Sequence, residues 1–400
     1  MTINIEAFRL RVLIAILLTL PFGWVEFLPI PYASLTLLLM YLYLLLAVAG
    51  LPKSLSRTVL LRFGVPLLLM WLIMLIRTMS DGGITEFGSG SQLRQILFHI
   101  VFFIFAARDV ARMAERGQPL EPYLIAAMLL MALVYLAGFT ETHEVTGRAT
   151  LVGLNANVVA LYALSAILVL LDLLLRGKDS GIRKGQGWPA IVAILALLFI
   201  LYASGSRGGI IILAIATGVY FVGWERLTRK QASLLLLAAP VCVVVLWYSM
   251  TTGTVAERLT ALDEDIRLTQ LWPISIEIIR ANPIFGAGFD VTFETFYSRI
   301  GRHITHHNEY LKIATSSGLV GLGLFFVFLY RVLQRAVAYR TSTGSALRLA
   351  LFFVCALQLL KGGGALHNIF IWIILLMVSA PVAFHVPTRQ VNHSTWASVR

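Results

Sequence analysis

The chain has 400 residues, of which 58% are hydrophobic and 13% charged, and its mean hydropathy is +0.84. This composition excludes a soluble enzyme, because no stretch between the apolar runs is long enough to bury a soluble core. The net charge of +12 does not indicate nucleic-acid binding, since the arginines are scattered through short segments between apolar runs. We therefore expect one integral membrane domain over residues 1–400.

Apolar runs long enough to cross about 30 Å of hydrocarbon recur along the chain and predict an all-α, polytopic helical bundle. The first run is expected to be a retained span, because no small-residue cleavage pattern follows it. The twelve predicted spans are 10–28, 33–51, 59–78, 94–107, 122–140, 151–175, 188–204, 208–224, 232–250, 311–330, 346–360 and 366–384.

The distribution of lysine and arginine predicts the orientation of these spans. With the N-terminus in the cytoplasm, 21 of the 32 Lys and Arg residues fall on the cytoplasmic side, as the positive-inside rule requires. Both termini are then cytoplasmic, and the one long polar segment, residues 251–310, is periplasmic. Six of the other 11 cations lie in 251–312, among them Arg267 and Arg280. Cations gathered on this side indicate an anion-binding site.

The segment that follows Asp263-Glu-Asp265 reads as an amphipathic helix over 265–281 in two pieces, with Pro273 in the first turn of the second. Its apolar residues at helical spacing would lie along the membrane surface. The paired carboxylates could hold a divalent ion, but two ligands are a weak signal, and they more often cap a helix and complement its dipole. Cys242 and Cys355 lie in apolar runs and predict neither a disulfide nor a metal site.

Arg207 lies in Ser204-Gly-Ser-Arg-Gly208, a tight turn between two predicted spans. Taken alone, it is more often a side chain that pins a helix end at the interface. Its planar guanidinium nevertheless matches phosphate oxygens. Arg148 and Arg267 are also predicted to face outward, and Asn155 and Asn157 begin the sixth span beside them. A shared anion site therefore explains this group better than interface pinning.

His307 and Asn308 close the polar segment. A loop histidine is usually solvated, and Asn308 could equally cap the following helix. An imidazole is, however, the usual group that removes a proton from a sugar hydroxyl near neutral pH. His303 and His306 are expected to be loop polar residues only. Small residues at 314–318 and Gly321 predict close helix packing beneath His307.

These motifs resemble the O-antigen ligase and polymerase superfamily. The resemblance rests on Ser-Gly-Ser-Arg-Gly, on Arg267 with Asn-Pro-x-x-Gly-x-Gly, and on His-Asn-x9-Gly-x-x-Gly ending at Gly321, in that order from about Arg148 onward. The length and the single outer loop are most similar to the O-antigen ligases. Leu322 departs from the Thr or Val that many members carry after the last glycine.

The resemblance implies a GT-C-like membrane glycosyltransferase of the bacterial inner membrane with a periplasmic active site. It would transfer a polysaccharide from undecaprenyl pyrophosphate to a sugar hydroxyl of the lipid A–core, with inversion and without metal or cofactor. The catalytic residues would be His307, Arg207 and Arg267. The substrate-binding residues would be Arg148, Asn155, Asn157, Arg280, Asn308 and Tyr310.

Two other readings remain open on the sequence. An O-antigen polymerase would use the same donor and a growing glycan as acceptor. A multi-pass transporter or flippase would suit twelve spans, but transporters place ionisable groups near the midplane, whereas here these groups cluster on one face. A structural scaffold gives no reason for outward arginines.

Overall fold

The computed structural model describes residues 4–22, 34–51, 55–80, 89–142, 149–151, 154–176, 187–223, 266–301, 306–362 and 364–381. Within these ranges the chain is helical except for loops and one short ribbon. The helices of the first half are α1 (Ile5–Thr19), α2 (Leu35–Ala49), α3 (Arg57–Ser80, with a π-helical turn at Leu60–Gly64), α4 (Ser89–Glu115), α5 (Glu121–Leu136) and α6 (Ala156–Arg176).

The second half continues with α7 (Gly187–Ala203), α8 (Arg207–Val222), a π-helical turn (Arg267–Leu271), α9 (Trp272–Ala281), α10 (Gly288–Ile300), α11 (Glu309–Thr343), α12 (Leu347–Lys361) and α13 (Ile369–Ser379). One-turn 3-10 helices lie at Leu20–Phe22 and Ala365–His367. The two-stranded antiparallel ribbon, β1 (Thr140–Thr142) with β2 (Ala149–Leu151), departs from the all-α prediction.

Eleven of the predicted spans overlap helices, and the ninth, 232–250, lies outside the described residues. Within the described ranges, three helices are suited by length and composition to crossing a membrane: Arg57–Ser80, Ala156–Arg176 and Glu309–Thr343. Five more apolar helices are 10–17 residues long. The molecule is thus a helical membrane protein, and the count of twelve spans remains a prediction.

The helix predicted over 265–281 forms in two pieces, and Pro273 lies in the first turn of α9. Its inward face differs from the predicted apolar face, because Ile274 and Ile278 are buried with Leu271, whereas Leu268 and Ile276 are exposed. The buried residues pack against Ala287 and Phe296 in a second, smaller core. This core fixes the 266–301 segment as a layer on the bundle.

Charged residues occupy the two ends of the bundle differently. At the end where α3 begins and α6 finishes, arginines pair with protein groups. Arg9 donates two hydrogen bonds to buried Asp109, at 2.6 and 2.7 Å, and Arg176 lies 2.5 Å from Asp172. The Arg207 turn lies at the opposite end, where α6, α8 and α11 begin. Arg9 and Arg176, which are predicted to be cytoplasmic, therefore lie at the opposite end of the helices from Arg207, which is predicted to face outward.

Helix α11 is broken at Gly318, whose φ of 67° and ψ of −169° are accessible to glycine alone. The segment 283–287 supplies the backbone partners that the break removes. Ala287 N donates to Thr315 O (2.7 Å), and Leu319 N donates to Pro283 O (2.8 Å). The close approach at Gly318 is therefore to a loop and not to the predicted helix, whereas a Cβ on Gly321 would meet Ser317 Oγ of its own helix at 1.9 Å and Met70 Cγ of α3 at 3.8 Å.

We predict that Gly318→Ala strongly destabilises the protein. A Cβ there would lie 2.2 Å from Ile284 O, and the backbone strain alone costs about 1–3 kcal/mol. The matched control is Gly323→Ala in the same helix, where an added Cβ meets no atom within 4 Å and should be neutral or slightly stabilising. Thermal unfolding in detergent compares the two; equal midpoints for both variants would refute the role assigned to the crossing.

Candidate active site

One polar cluster joins the starts of α6 and α8 to the end of α12. Lys361 Nζ donates to Ser206 Oγ (2.8 Å) and to Asn157 Oδ1 (3.0 Å), and Ser206 Oγ donates to the same Asn157 oxygen (2.9 Å). Ser206 also caps α8, since its Oγ accepts from Gly209 N at 3.2 Å. The tight turn predicted at 204–208 thus places an ammonium group beside the first turn of a helix.

Arg207 is the first residue of α8 and is half-buried. Its neighbour Gly208 leaves room for Lys361, because a Cβ on Gly208 would lie 2.3 Å from Lys361 Cδ. The positive end of the helix dipole adds to these two cations. This end of the bundle therefore has the charge and the donors that a phosphate group requires.

His307 is half-buried and has a φ of 51°, the only non-glycine residue with positive φ in the described part of the chain. Such a conformation costs free energy and is concentrated at functional sites. Asn308 follows as the N-cap of α11, with its Oδ1 accepting from Leu311 N at 3.1 Å. Its buried side chain thus has the capping role that the sequence left open as an alternative.

His306 is buried rather than a solvated loop residue, which corrects the sequence expectation. Its Nε2 lies 2.9 Å from Thr315 Oγ1, and the Thr315 hydroxyl already donates to Lys312 O at 3.0 Å. Because a hydroxyl has one proton, Nε2 must be the donor, and Nδ1 is left as an unprotonated acceptor. Burial, and then the charges of Lys312 and His307, lower the pKa of His306 to about 3.

The first turns of α11 carry further buried polar atoms. Glu309 Oε1 and Oε2, Lys312 Nζ and Ser316 Oγ make no hydrogen bond to any described residue. Lys312 Nζ lies 5.3 Å from the centre of the Phe289 ring. Burying a carboxylate and an ammonium group without hydrogen bonds costs several kcal/mol. This face of α11 is therefore arranged for a polar interaction and not for stability.

Helix α12 connects this face of α11 with the Arg207 turn. The Tyr310 hydroxyl donates to Ala356 O (3.0 Å), five residues before Lys361, or about 8 Å along a helix. Arg207 and Lys361 accordingly lie at the same end of the molecule as His306 and His307. Tyr310 serves there as a packing and hydrogen-bonding residue.

The structure places the remaining predicted residues as follows. Asn155 is exposed and accepts from Asn157 N at 2.8 Å, which caps α6. Arg267 is half-buried at the start of the π-helical turn before α9, and Arg280 is exposed in the last turn of α9. Arg148, His303, Asp263 and Asp265 lie outside the described residues. Among the residues described, no group of three or more His, Cys, Asp or Glu side chains could hold a metal ion.

Sequence reasoning missed Lys361, Glu309 and Lys312 as site residues. Lys361 ends an apolar run and precedes three glycines, a pattern like the one that drew attention to Arg207. Lys312 is a cation at the second position of a predicted span, where an ionisable group has a functional reading by default. Both signals were present in the sequence. Only the fold shows which groups they meet.

Comparison with known families adds one match. Residues 191–326 match the family described as O-antigen ligase, which confirms the resemblance inferred from the motifs. The match covers about a third of the chain and includes Arg207, Arg267, His307 and Gly318. The family belongs to the superfamily of O-antigen ligases and polymerases, whose members are membrane glycosyltransferase-like enzymes. No curated protein matches the chain.

We predict that His306 makes the folded protein acid-sensitive. The imidazole stays neutral when folded, with a pKa of about 3, but binds a proton near pH 6.5 when unfolded. Its contribution to stability is complete above about pH 6.5 and is lost as the pH falls towards 3, by about 1.4 kcal/mol per pH unit. The unfolding midpoint of His306→Gln should fall less steeply between pH 6.5 and 5 than that of wild type, with parallel behaviour above pH 7.5. Identical slopes below pH 6.5 would contradict this assignment.

Proposed function

We propose that the protein is an O-antigen ligase that transfers O-polysaccharide from undecaprenyl pyrophosphate to a lipid A–core sugar hydroxyl. The observation that carries the proposal is the convergence of the Arg207–Lys361 cluster and the strained His307 at one end of a membrane bundle. The family match over residues 191–326 supports it. The enzyme would lie in the bacterial inner membrane as a GT-C-like bundle of about twelve spans, with both termini cytoplasmic and residues 251–310 periplasmic.

The donor pyrophosphate would bind at the Arg207 turn. The guanidinium of Arg207, the ammonium of Lys361 and the N-terminus of α8 together offer two charges and several N–H donors. Arg267 and Arg280 would approach the pyrophosphate from the 266–301 segment, and Arg148 from the segment before α6. Asn155 and Asn157 would line the Arg207 turn. Fixed cations stabilise the charge that develops on a leaving pyrophosphate, which is the work that a metal ion does in other transferases.

His307 would act on the acceptor in preference to His306. With a pKa of about 3, His306 is too weak a base to take a proton near neutral pH, although its Nδ1 can accept a hydrogen bond. His307 is half-buried at the start of α11 and is held there by the Asn308 cap. Glu309 and Lys312 follow it by two and five residues and would hold the polar surroundings of the acceptor in place.

The transfer would be a single inverting displacement. The acceptor hydroxyl oxygen forms a bond to the anomeric carbon as the bond between that carbon and the phosphate oxygen breaks. The hydroxyl proton passes to His307, and undecaprenyl pyrophosphate leaves with the electron pair of the broken bond. The atoms and charges of this displacement balance without a metal ion, a cofactor or a redox step.

An O-antigen polymerase is the alternative, because it would use the same donor site and the same base. Transport is disfavoured by the position of the chemistry-bearing groups, which gather at one end of the bundle. A single experiment separates the readings: purified protein is given undecaprenyl-pyrophosphate glycan with lipid A–core, and separately without it. Ligation predicts glycan on the core lipid, polymerisation predicts a longer glycan on the donor without core, and no covalent product would refute both.

In the same assay we predict that His307→Ala lowers the single-turnover rate by a factor of about 10²–10⁴ while donor affinity is largely kept, as expected for loss of a general base.

Arg207→Lys retains one charge but loses the planar fork, so donor affinity and rate should both fall. Arg267→Ala should behave like Arg207→Lys. Arg299→Ala is the control, because exposed Arg299 pairs with Glu277 in the same layer. Loss of donor binding in His307→Ala with normal turnover of Arg207→Lys would reverse the assigned roles.

We further predict that Lys361→Met weakens donor binding by about 10–100-fold, since a charge-assisted hydrogen bond contributes about 1.5–3 kcal/mol. Gly208→Ala should reproduce part of this loss by displacing the Lys361 side chain without removing its charge. The matched control is Gly218→Ala in the same helix, where an added Cβ meets no atom within 4 Å. Donor-lipid titrations measure all three; unchanged affinity in Lys361→Met would remove Lys361 from the site.

A further inference from the structure

A cavity of about 270 Å³ opens at the end of the bundle opposite the Arg207 turn. It lies between the start of α3, the end of α4, the second half of α11 and the end of α13. Three arginines line it, Arg108, Arg112 and Arg335, against one carboxylate, that of exposed Glu115. The proposed transfer reaction uses none of these residues.

The cations of this cavity are incompletely neutralised. Arg112 Nη1 lies 3.0 Å from Glu6 Oε1, but Arg116 shares that carboxylate oxygen at the same distance. Arg108 Nη1 donates to Leu55 O at 3.0 Å, a neutral partner. The buried Nε of Arg335 makes no hydrogen bond to a described residue. The cavity therefore has donors to offer to an anion.

Backbone dipoles add to this positive potential. Helix α3 runs for 24 residues from Arg57, and Ser56 and Thr58 at its N-terminus line the cavity. The opposing end of α13 contributes carbonyl groups, but Ala380 O accepts a hydrogen bond from Arg348. Of the two helix C-termini at the cavity, those of α4 and α13, the second is thus already occupied by a cation.

The rest of the lining is apolar. Val59, Phe63, Ala107 and Ala111 continue from the arginines along α3 and α4. A free phosphate would gain nothing from these side chains, whereas the glycerol and upper acyl carbons of a phospholipid would cover them. Basic pockets between membrane helices bind anionic lipid head groups in this way.

We propose that this cavity is a binding site for an anionic phospholipid, with the phosphate at Arg335, Arg108 and Arg112 and the acyl chains along Phe63 and Ala107. The occupant would stabilise the junction of α3, α4 and α11 at the end away from the transfer chemistry. The site is independent of the proposed function.

The test uses the full chain, delipidated in a neutral detergent and titrated with phosphatidylglycerol or phosphatidylcholine of identical acyl chains. Bound lipid is counted by native mass spectrometry, and stability is followed by thermal unfolding. Wild type should bind phosphatidylglycerol at least about tenfold more tightly than phosphatidylcholine. Both lipids carry a phosphate, but the quaternary ammonium of phosphatidylcholine cancels its charge and is repelled by the arginines. Arg335→Ala should lose this preference.

Two further variants make the result decisive. Ala111→Trp fills the cavity without removing a cation and should also lose the preference, so it replaces Arg335→Ala if that variant fails to fold. Arg11→Ala removes an exposed arginine of α1 that does not line the cavity, and it should keep the preference. Equal binding of the two lipids by wild type, or full preference in Ala111→Trp, would overturn the proposal. Saturable stabilisation by inorganic phosphate equal to that by phosphatidylglycerol would replace the lipid with a free phosphate and overturn it as well.

Discussion

The crossing of the 283–287 segment with the break in α11 is the constraint on which the outer end of the molecule depends. In a continuous helix Leu319 N would donate to Thr315 O; here Leu319 N turns to Pro283 O, and Thr315 O accepts from Ala287 N. A Cβ on Gly286 would lie 2.6 Å from Gly318 N, so both segments of the crossing, 283–287 and the break in α11, need glycine. The loop thereby completes the backbone hydrogen bonding of the helix that it crosses.

This arrangement ties the start of α11 to the 266–301 segment by backbone hydrogen bonds. The start of α11 carries Glu309 and Lys312, His306 precedes it, and the 266–301 segment carries Arg267. The end of α3 holds the same crossing, because Arg77 Nε donates to Gly286 O (2.9 Å) and Phe289 N donates to Thr78 Oγ1 (3.1 Å). Histidine and arginine groups from distant parts of the chain are therefore positioned by one set of backbone contacts.

Two groups of buried charges in the bundle differ in their hydrogen bonding. Arg9, Asp109 and Tyr43 form a buried network in which the carboxylate accepts from both partners, and such a network holds helices together without ligands. Glu309 and Lys312 are equally buried but make no hydrogen bond to the described residues. Unsatisfied buried charge lowers stability, so its placement beside His307 fits a site whose polar partners belong to the substrate.

Much of the helical structure could be predicted from the sequence, because membrane insertion imposes local rules on length and hydropathy. Apolar runs predicted the helices, Pro273 and Asn282-Pro283 predicted the limits of α9, and the motifs indicated the family. The partners of those motifs depended on long-range contacts that no spacing encodes. Gly318 resembled a helix-packing glycine until the loop crossing gave it a positive φ. His306 became a buried acceptor because the Thr315 hydroxyl donates to Lys312 O, and Lys361 contacts Ser206 in the Arg207 turn only because α12 ends beside α8. Periodicity indicates where helices form, whereas tertiary packing decides which of their residues are buried and which groups meet.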